Sequence, residues 1–343
     1  MRNFKKALFA PLLLAGFVSM AQRPAAQELK NPIVEAIVKE ANDNSQLEKL
    51  AHELMDGIGP RLVGTPEMQQ AGVWALGKYK DWGIAARNEK WGEWKGWQRG
   101  VSHIDMTYPR AKSLEGMQLA WSPGTNGKTV NAEVIVLPYM EDSIAFAKWL
   151  PAAKGKIVLT SMNQPTGRPD YNWEEFGTKE SVEKMKKDRD MLTAAWAKRI
   201  SNTGYNSRTL PAALEKAGAV AVVTSNWSRG FGVNKIFGAY TKNIPSVDIA
   251  LEDYGLLYRL AEAGGKPRMS LKIDSKNLPP ADAFNIVAEM KGTEKPNEYV
   301  MLSAHFDSWD GGTGATDNGT GTIVMMEAMR ILKKVYPNPK RTI

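Results

Sequence analysis

The sequence predicts an α/β fold, and three observations support this prediction. Short, continuous apolar runs bounded by glycine are typical of strands buried in a sheet, at residues 133–138, 156–160 and 219–224. Segments with the apolar spacing of short helices alternate with these runs, at residues 210–216 and 251–263. The chain has 343 residues. At roughly 100 to 200 residues per domain, this length corresponds to about two domains.

Composition limits the chemistry. With 43% hydrophobic and 24% charged residues, the chain is globular rather than disordered. It has no cysteine, which excludes disulfides, thiolate zinc sites, iron–sulfur clusters and a cysteine nucleophile. Any metal must therefore bind His, Asp or Glu, and the only histidines are His52, His103 and His305.

The first 21 residues have the pattern of a secretory signal peptide. Residues 1–6 are basic, residues 7–20 are apolar apart from Ser19, and small residues precede an expected cleavage site after Ala21. We therefore expect a secreted or periplasmic protein, with a retained membrane anchor as the alternative. Cleavage would lower the formal charge from +8 to +5, and the remaining basic residues are scattered. This argues against a nucleic-acid partner.

The elements before the sheet follow in order. Residues 31–54 predict two short helices. Thr65 predicts the N-cap of a helix that starts with Pro66 and extends to about residue 82. Residues 85–100 predict strand and turn, with Trp91, Trp94 and Trp97 packing in a core rather than stacking on a ligand.

The later elements are less regular. Residues 170–200 predict a polar helical insertion, and the two prolines in residues 276–281 indicate a linker. Residues 285–291 and 299–304 predict strands, and residues 322–336 predict a helix that follows a glycine-rich loop.

This strand, loop and helix carry the most informative motif. His305 stands where the apolar run ends, and ligands of α/β sheets bind beyond the carboxyl ends of strands. Asp307, two residues on, points to the same side of an extended chain and could fix one ring nitrogen of His305, leaving the other for a cation. Asp317 fits a second metal ligand. A hydrogen-bonded core histidine is the alternative. A nucleotide loop is disfavoured because Asp317 stands where the dinucleotide pattern needs glycine.

His52 and His103 have no partner at metal-ligand spacing. His52-Glu53 resembles the start of a zincin motif, but Asp56 stands where the second histidine is needed. We therefore expect structural or surface roles for both histidines.

Motifs along the chain resemble those of a known family. These are residues 305–310 (HFDSWD), 314–319 (GATDNG), 59–61 (GPR), 64–66 (GTP), 155–158 (GKIV), 217–219 (AGA) and the proline-containing end at 337–343. Together they resemble the co-catalytic dizinc exopeptidases of the carboxypeptidase Q, glutamate carboxypeptidase and leucyl aminopeptidase type. The Ser-Trp-Asp continuation points to the carboxypeptidase Q branch.

The resemblance implies a domain organisation. It implies a zinc-exopeptidase catalytic domain (phosphorylase/hydrolase-like) with a mixed, largely parallel central sheet, interrupted by an inserted protease-associated domain. The expected boundaries are residues 1–21 for the signal peptide, 22–115 for the first part of the peptidase domain, 116–278 for the insert and 279–343 for the continued peptidase domain.

The resemblance also implies residue roles. His305 would bind one of two zinc ions, Asp317 would bridge both, and Asp307 would be the catalytic residue that orients His305. The general-base glutamate and the remaining ligands would follow Ile343, so the resemblance implies a C-terminally truncated chain that is inactive alone. The implied partner is a peptide substrate, with no nucleic acid, no membrane after leader cleavage and a homodimer as a further expectation. A catalytically inactive binding or receptor-like protein on the same scaffold is the alternative.

Overall fold

The structure is a computed structural model that describes residues 31–230, 232–233 and 236–343. The predicted signal peptide lies outside the described residues. The α-helices among them are α1 (Pro32–Asp43), α2 (Leu47–Ala51), α3 (Pro66–Asp81), α4 (Ser143–Trp149), α5 (Asp170–Phe176), α6 (Lys179–Asn202), α7 (Leu210–Lys216), α8 (Leu251–Glu262) and α9 (Thr320–Val335). A π-helical segment, His52–Ile58, continues α2, a short 3-10 helix spans Leu150–Ala153, and a π-like turn, Ala315–Gly319, precedes α9.

The strands form one large sheet and one small sheet. They are β1 (Ala85–Tyr108), β2 (Lys112–Ser113), β3 (Gly116–Gln118), β4 (Val130–Val136), β5 (Ile157–Leu159), β6 (Ala221–Thr224), β7 (Ser246–Ile249), β8 (Arg268–Glu289), β9 (Lys295–Tyr299) and β10 (Arg341–Thr342). The large sheet has the order β2-β1-β8-β4-β5-β6-β7-β3, and β9 pairs with β10 in the small sheet.

The predicted mixed sheet is confirmed, but its parallel part is smaller than expected. In the large sheet β4, β5, β6 and β7 run parallel to one another, whereas β1, β2, β3 and β8 pair antiparallel with their neighbours. The three predicted buried strands correspond to β4, β5 and β6. The two flanking helices predicted from their spacing correspond to α7 and α8.

The parallel part is covered on both faces. Val158 and Val222 pack against α4 and α7, whereas the alternate residues Ile157 and Val223 pack with α8 on the other face. Side chains of a strand alternate between the faces of its sheet. This explains why these short runs are apolar at every position.

A long antiparallel pair, β1 with β8, connects the parallel strands to the terminal helices. At its outer end α3 and α9 pack on Ile286 through Tyr79 and Met326. The N-terminal cap predicted for α3 is present, with Thr65 Oγ1 accepting a hydrogen bond from the Met68 amide at 3.3 Å.

Two sequence predictions in this region are wrong. Residues 276–281 are not a linker but part of β8, where Leu278 pairs with Gly96 and Ala281 with Trp94. The two prolines between those positions fall at a register shift, where no ladder hydrogen bond is required of them. The strand predicted at residues 299–304 is shifted to β9, and pairing with β10 ends at the Val300 amide, which donates to the Thr342 carbonyl at 2.8 Å. Beyond it Met301 is 83% exposed.

The tryptophan prediction holds for one of three residues. Trp97 is fully buried and donates from Nε1 to the Ser122 carbonyl at 3.1 Å. Trp91 and Trp94 are exposed.

Among the helices of the described residues, none is long and apolar enough to cross a membrane.

Candidate metal centre

The segment from His305 to Asp317, called the metal loop below, brings the three predicted site residues together. His305 Nε2 lies 3.0 Å from Asp317 Oδ1. The other ring nitrogen, Nδ1, lies 3.2 Å from Asp307 Oδ1 and 3.1 Å from the Asp307 carbonyl oxygen. All three side chains are about half exposed, so a cation has access to them. Asp307 thus fixes the ring and leaves Nε2 facing Asp317.

The donor set fits part of a zinc site. Two ligands of one tetrahedral zinc ion lie about 3.3 Å apart, given bond lengths of about 2.0 to 2.1 Å, and the separation of Nε2 and Oδ1 is close to this value. Imidazole nitrogen held by a carboxylate, with a second carboxylate as ligand, is ordinary zinc chemistry. In residues 31–230, 232–233 and 236–343, however, no group of three or more His, Asp or Glu side chains is arranged to hold a metal. The described residues therefore supply two facing ligands.

The backbone around Asp317 is irregular. Asp317 and Asn318 have non-helical dihedral angles inside the turn before α9, and the peptide bond between them is cis. Gly314 has a φ of +65°, and a Cβ there would lie 2.3 Å from the Ser308 Cβ, so this position requires glycine. Asp317 Oδ2 accepts a hydrogen bond from Trp309 Nε1 at 3.1 Å.

A buried arginine holds both ends of the metal loop. Arg61 is fully buried, and its guanidinium donates to the carbonyls of Phe306, Thr313 and Gly314 at 3.1 Å each, and to that of Gly59 at 2.8 Å. The Arg61 amide and carbonyl also pair with Ser308, at 2.8 and 3.1 Å. Burial lowers the pKa of Arg61, and the negative charge of Asp307 opposes this shift.

Two further contacts fix the loop, and sequence reasoning assigned neither. Thr322, in the first turn of α9, donates from Oγ1 to the His305 carbonyl at 3.1 Å. Asp310 is buried and accepts from Arg99 Nε of β1 at 2.9 Å. The Gly-Pro-Arg motif was a signal for Arg61, but nothing local to residue 99 indicated its partner 211 positions away.

The other histidines do not join this cluster. His52 is exposed and its Nδ1 lies 3.0 Å from Asp56 Oδ2, one turn along the same π-helical segment. His103 lies on β1 opposite Lys272. Glu327 on α9 is buried in an ion pair with Arg330.

Comparison with known proteins finds relatives among the same exopeptidases that the motifs resemble. The chain is 28% identical over 325 residues to carboxypeptidase Q of Bos taurus, which covers 92% of this chain and 60% of the relative. It is 33% identical over 116 residues to leucine aminopeptidase 2 of Trichophyton equinum, covering 34% of this chain and 23% of that protein. The chain spans about 60% of the length of the carboxypeptidase Q relatives that it matches.

Solved structures share the fold. A peptidase M28 precursor from Shewanella amazonensis superposes with a TM-score of 0.61 at 21% identity, covering 91% of this chain and 65% of that one. The zinc aminopeptidase BSAP of Bacillus subtilis gives a TM-score of 0.50 at 19% identity, covering 87% and 59%.

The chain is thus similar in sequence to metallopeptidases and shares an α/β scaffold with solved peptidase structures. Within that class, residues 285–343, which include the whole metal loop, match the model of peptidase family M28. The resemblance to the zinc exopeptidases drawn from the motifs is therefore confirmed.

Proposed function

We propose that this protein is a carboxypeptidase Q-like zinc exopeptidase that acts on short peptides, with His305 and Asp317 as metal ligands. The observation that carries the proposal is the facing pair of Nε2 and Oδ1, 3.0 Å apart, with Asp307 on the far side of the imidazole ring. The match of this segment to peptidase family M28 supports the same assignment.

Asp317 is proposed to bridge two zinc ions. Its second oxygen, Oδ2, accepts a hydrogen bond from Trp309 Nε1 at 3.1 Å and would exchange this donor for a second cation. Zinc bound there would polarise the scissile carbonyl and lower the pKa of bound water toward neutrality. The contribution of this chain is to hold His305 by Asp307 and Thr322, and to hold the loop by Arg61. The reaction requires further ligands and a base beyond the two facing side chains.

We further propose that residues 116–278 form the protease-associated insert and that the protein is exported. The antiparallel pair of β1 and β8, which leads into and out of the parallel strands, supports an insertion. The basic and apolar pattern of the first 21 residues supports export. A homodimer stays a prediction.

Zinc titration of the full chain tests the metal site. Isothermal titration calorimetry with zinc chloride should give binding that His305→Ala and Asp317→Ala abolish. His52→Ala is the matched control, since His52 also faces a carboxylate at 3.0 Å but outside the metal loop. Zinc binding that survives His305→Ala unchanged would refute the assignment.

A binding protein without peptidase activity is the second candidate. The observation that favours it is that the described part of the chain holds no group of three metal ligands. Peptide binding that is independent of zinc, together with zinc binding unaffected by His305→Ala, would support this candidate over the enzyme.

A further inference from the structure

Arg189 of α6 is a buried arginine whose guanidinium is only partly paired. The residue is 8% exposed, and its Nη1 donates to Asp170 Oδ1 of α5 at 2.7 Å. The other two nitrogens, Nε and Nη2, are buried and have no hydrogen-bond partner among the described residues. A buried donor without a partner keeps its desolvation cost, which is larger for a charged group. Arg189 therefore has two donors whose pairing would stabilise the folded chain.

The two unpaired nitrogens of Arg189 lie on one edge of the guanidinium. The Nε–H and one N–H of Nη2 point in the same direction and form the fork that binds two oxygens of a carboxylate or a phosphate. Asp170 pairs with Nη1, so this ion pair leaves the fork free. A ligand with two oxygens side by side would satisfy both donors at once.

Neighbouring side chains give the fork an aromatic wall and a positive charge. The Trp227 ring centroid lies 4.7 Å from Cζ of Arg189. Arg229 Nη1 lies 3.1 Å from Asp170 Oδ2, the second oxygen of the same carboxylate. The hydrogen bond from Arg189 lowers the pKa of Asp170, so Asp170 is ionised at neutral pH. Two arginines thus share one carboxylate, and this arginine cluster (Arg189, Arg229 and Asp170) has a net positive charge.

The arginine cluster lies beyond the parallel part of the large sheet. β5 and β6 are parallel neighbours, so their carboxyl ends lie at the same edge. The segment after β5 leads to Asp170, and Trp227 follows soon after Thr224, the last residue of β6. Ligands of α/β sheets bind outside the carboxyl ends of the strands. The position of the cluster is therefore one at which this class of fold holds small molecules.

Access to the fork requires movement of Trp227. Nε and Nη2 of Arg189 have almost no contact with solvent. Trp227 Nε1 donates to the Gly230 carbonyl at 2.9 Å, so the ring is tied to its own turn. Arg229 in this turn has a φ of +63°, a conformation that costs energy in residues other than glycine. Residues 227–230 therefore form a strained turn that can carry the ring off the guanidinium as a unit.

We propose that the arginine cluster and Trp227 form a binding site for a small carboxylate, which pairs with Nε and Nη2 of Arg189 when the turn at residues 227–230 moves aside. A carboxylate fits the fork better than a phosphate, because it is planar like the guanidinium and its single negative charge balances the net charge of the cluster. The inference goes beyond the proposed peptidase function, since none of these residues belongs to the metal loop.

Thermal unfolding of the full chain tests the proposal. Sodium acetate is compared with sodium chloride at equal ionic strength and neutral pH. A ligand that binds only the folded chain raises the unfolding midpoint as its concentration rises. We therefore expect acetate to raise the wild-type midpoint above its value in chloride, and Arg189→Met to abolish the difference. Arg189→Lys keeps the charge without the fork, so it should weaken acetate binding by about 10-fold or more, the equivalent of one hydrogen bond to a charged group.

Arg199→Met is the matched control. Arg199 is also on α6, and its Cζ also lies 4.7 Å from a tryptophan ring centroid, that of Trp196, but its Nη1 donates to the Leu137 carbonyl. This variant should keep the full effect of acetate. A wild-type chain that acetate stabilises no more than chloride does, or an Arg189→Met chain that keeps the effect, would overturn the proposal. Stabilisation by inorganic phosphate but not by acetate would overturn the assignment to a carboxylate.

A spectroscopic readout locates the bound acetate. In the wild-type chain with ¹⁵N-labelled arginine, the Nε–H signal that disappears in Arg189→Met belongs to Arg189. We expect this signal to shift with acetate until it saturates, and the signal of Arg199 to stay in place. Equal shifts of both signals without saturation would show that acetate acts only as a salt, and would refute the site.

Discussion

At the scale of single residues, the metal loop depends on groups that are not metal ligands. Arg61 is a fully buried cation whose guanidinium hydrogen bonds go to carbonyl oxygens on both sides of the loop. Charged donors in a buried network contribute more than neutral ones, and carbonyls left without a donor keep their desolvation cost. The position of Asp317 relative to His305 therefore depends on a residue about 250 positions earlier in the chain.

Replacement of Arg61 by methionine tests this dependence. Arg61→Met keeps much of the side-chain volume but leaves up to four buried or partly buried carbonyls without their donor, so we expect the free energy of unfolding to fall by about 2 to 4 kcal/mol. Urea denaturation at neutral pH measures it. Arg87→Met is the control, since Arg87 is exposed on β1 and pairs there with the exposed Glu89. Equal stability of the two variants would contradict the role assigned to Arg61.

Asp307 acts on zinc through His305. Removal of a carboxylate that orients a metal-bound histidine typically costs 10- to 100-fold in metal affinity. We therefore expect Asp307→Ala to weaken zinc binding by about that factor, measured by competition with a chromophoric chelator. Asp56→Ala removes the equivalent partner of His52 and should leave the zinc affinity unchanged. An Asp307→Ala chain with wild-type zinc affinity would show that the imidazole needs no orienting group.

At the scale of elements, α1 and α9 are joined by a buried ion-pair cluster. Arg330 on α9 lies 2.7 Å from Glu40 of α1 and 2.8 Å from Glu327, and Lys334 lies 2.7 Å from the other oxygen of Glu40. Hydrogen bonds from Lys334 and Arg330 lower the pKa of Glu40 to about 2. Since the pKa is lower in the folded chain, the stabilisation by Glu40 is present above its unfolded value and is lost as the pH falls through about 2.

Replacement of Arg330 should separate these helices. Arg330→Met leaves Glu40 and Glu327 buried with fewer partners, and breaking a buried pair in this way typically costs about 3 to 5 kcal/mol. We expect such a loss at neutral pH, and a smaller one near pH 3, because the stabilisation by Glu40 declines as the pH falls from its unfolded pKa toward its folded pKa of about 2. Chemical denaturation of wild type and variant at both pH values measures the loss of stability. A loss that does not vary with pH would indicate a packing role for Arg330 rather than an electrostatic one.

The ends of β6 and β7 hold a buried carboxylate. Asp248 Oδ1 accepts hydrogen bonds from Thr224 Oγ1 at 2.9 Å and from the Asn226 amide at 2.7 Å. Burial nevertheless raises the pKa of Asp248 to about 6. Because the folded pKa lies above the unfolded value of about 3.9, the stabilisation from this group is fully present below about pH 4 and is lost as the pH rises through about 6.

Asp248→Asn should remove this dependence. An uncharged amide oxygen can accept the same hydrogen bonds, so we expect the variant to be more stable than wild type at pH 7.5 by up to about 2 to 3 kcal/mol, and equal to it near pH 4. Chemical denaturation at the two pH values provides the comparison. An advantage of the variant that is as large at pH 4 as at pH 7.5 would contradict the cause assigned.

At the scale of the whole molecule, the number of ligands limits metal affinity. Two facing ligands cannot close a four-coordinate zinc site. We expect the two facing ligands, without the further ligands and base that the reaction requires, to give zinc binding weaker than micromolar and no hydrolysis of a dipeptide, as measured by calorimetry and by release of free amino acids. Micromolar affinity together with zinc-dependent turnover would show that the chain provides ligands other than His305 and Asp317.

Local patterns predicted much of the scaffold, and they singled out three side chains that lie together in the structure, His305, Asp307 and Asp317. Apolar runs predicted β4, β5 and β6, and Thr65 with Pro66 predicted the start of α3. The prediction failed at residues 276–281, because whether a proline-containing segment pairs depends on the strand opposite it. It failed again beyond Tyr299. The apolar run continues there past the residues that pair with β10, and the described residues provide no further strand for it to pair with.

The sequence by itself limited the candidate metal ligands to His, Asp and Glu, since the chain has no cysteine, and it pointed to the motif around His305. Spacing also determined that Asp307 could act on His305, because two residues on an extended chain share a side. Only the tertiary structure decided that Arg61 holds the loop, that Asp310 pairs with Arg99, and that Phe237 lies against Trp309. Helix and strand periodicity are properties of neighbouring residues, whereas these contacts join segments up to 253 positions apart and exist only once the packed chain brings them together.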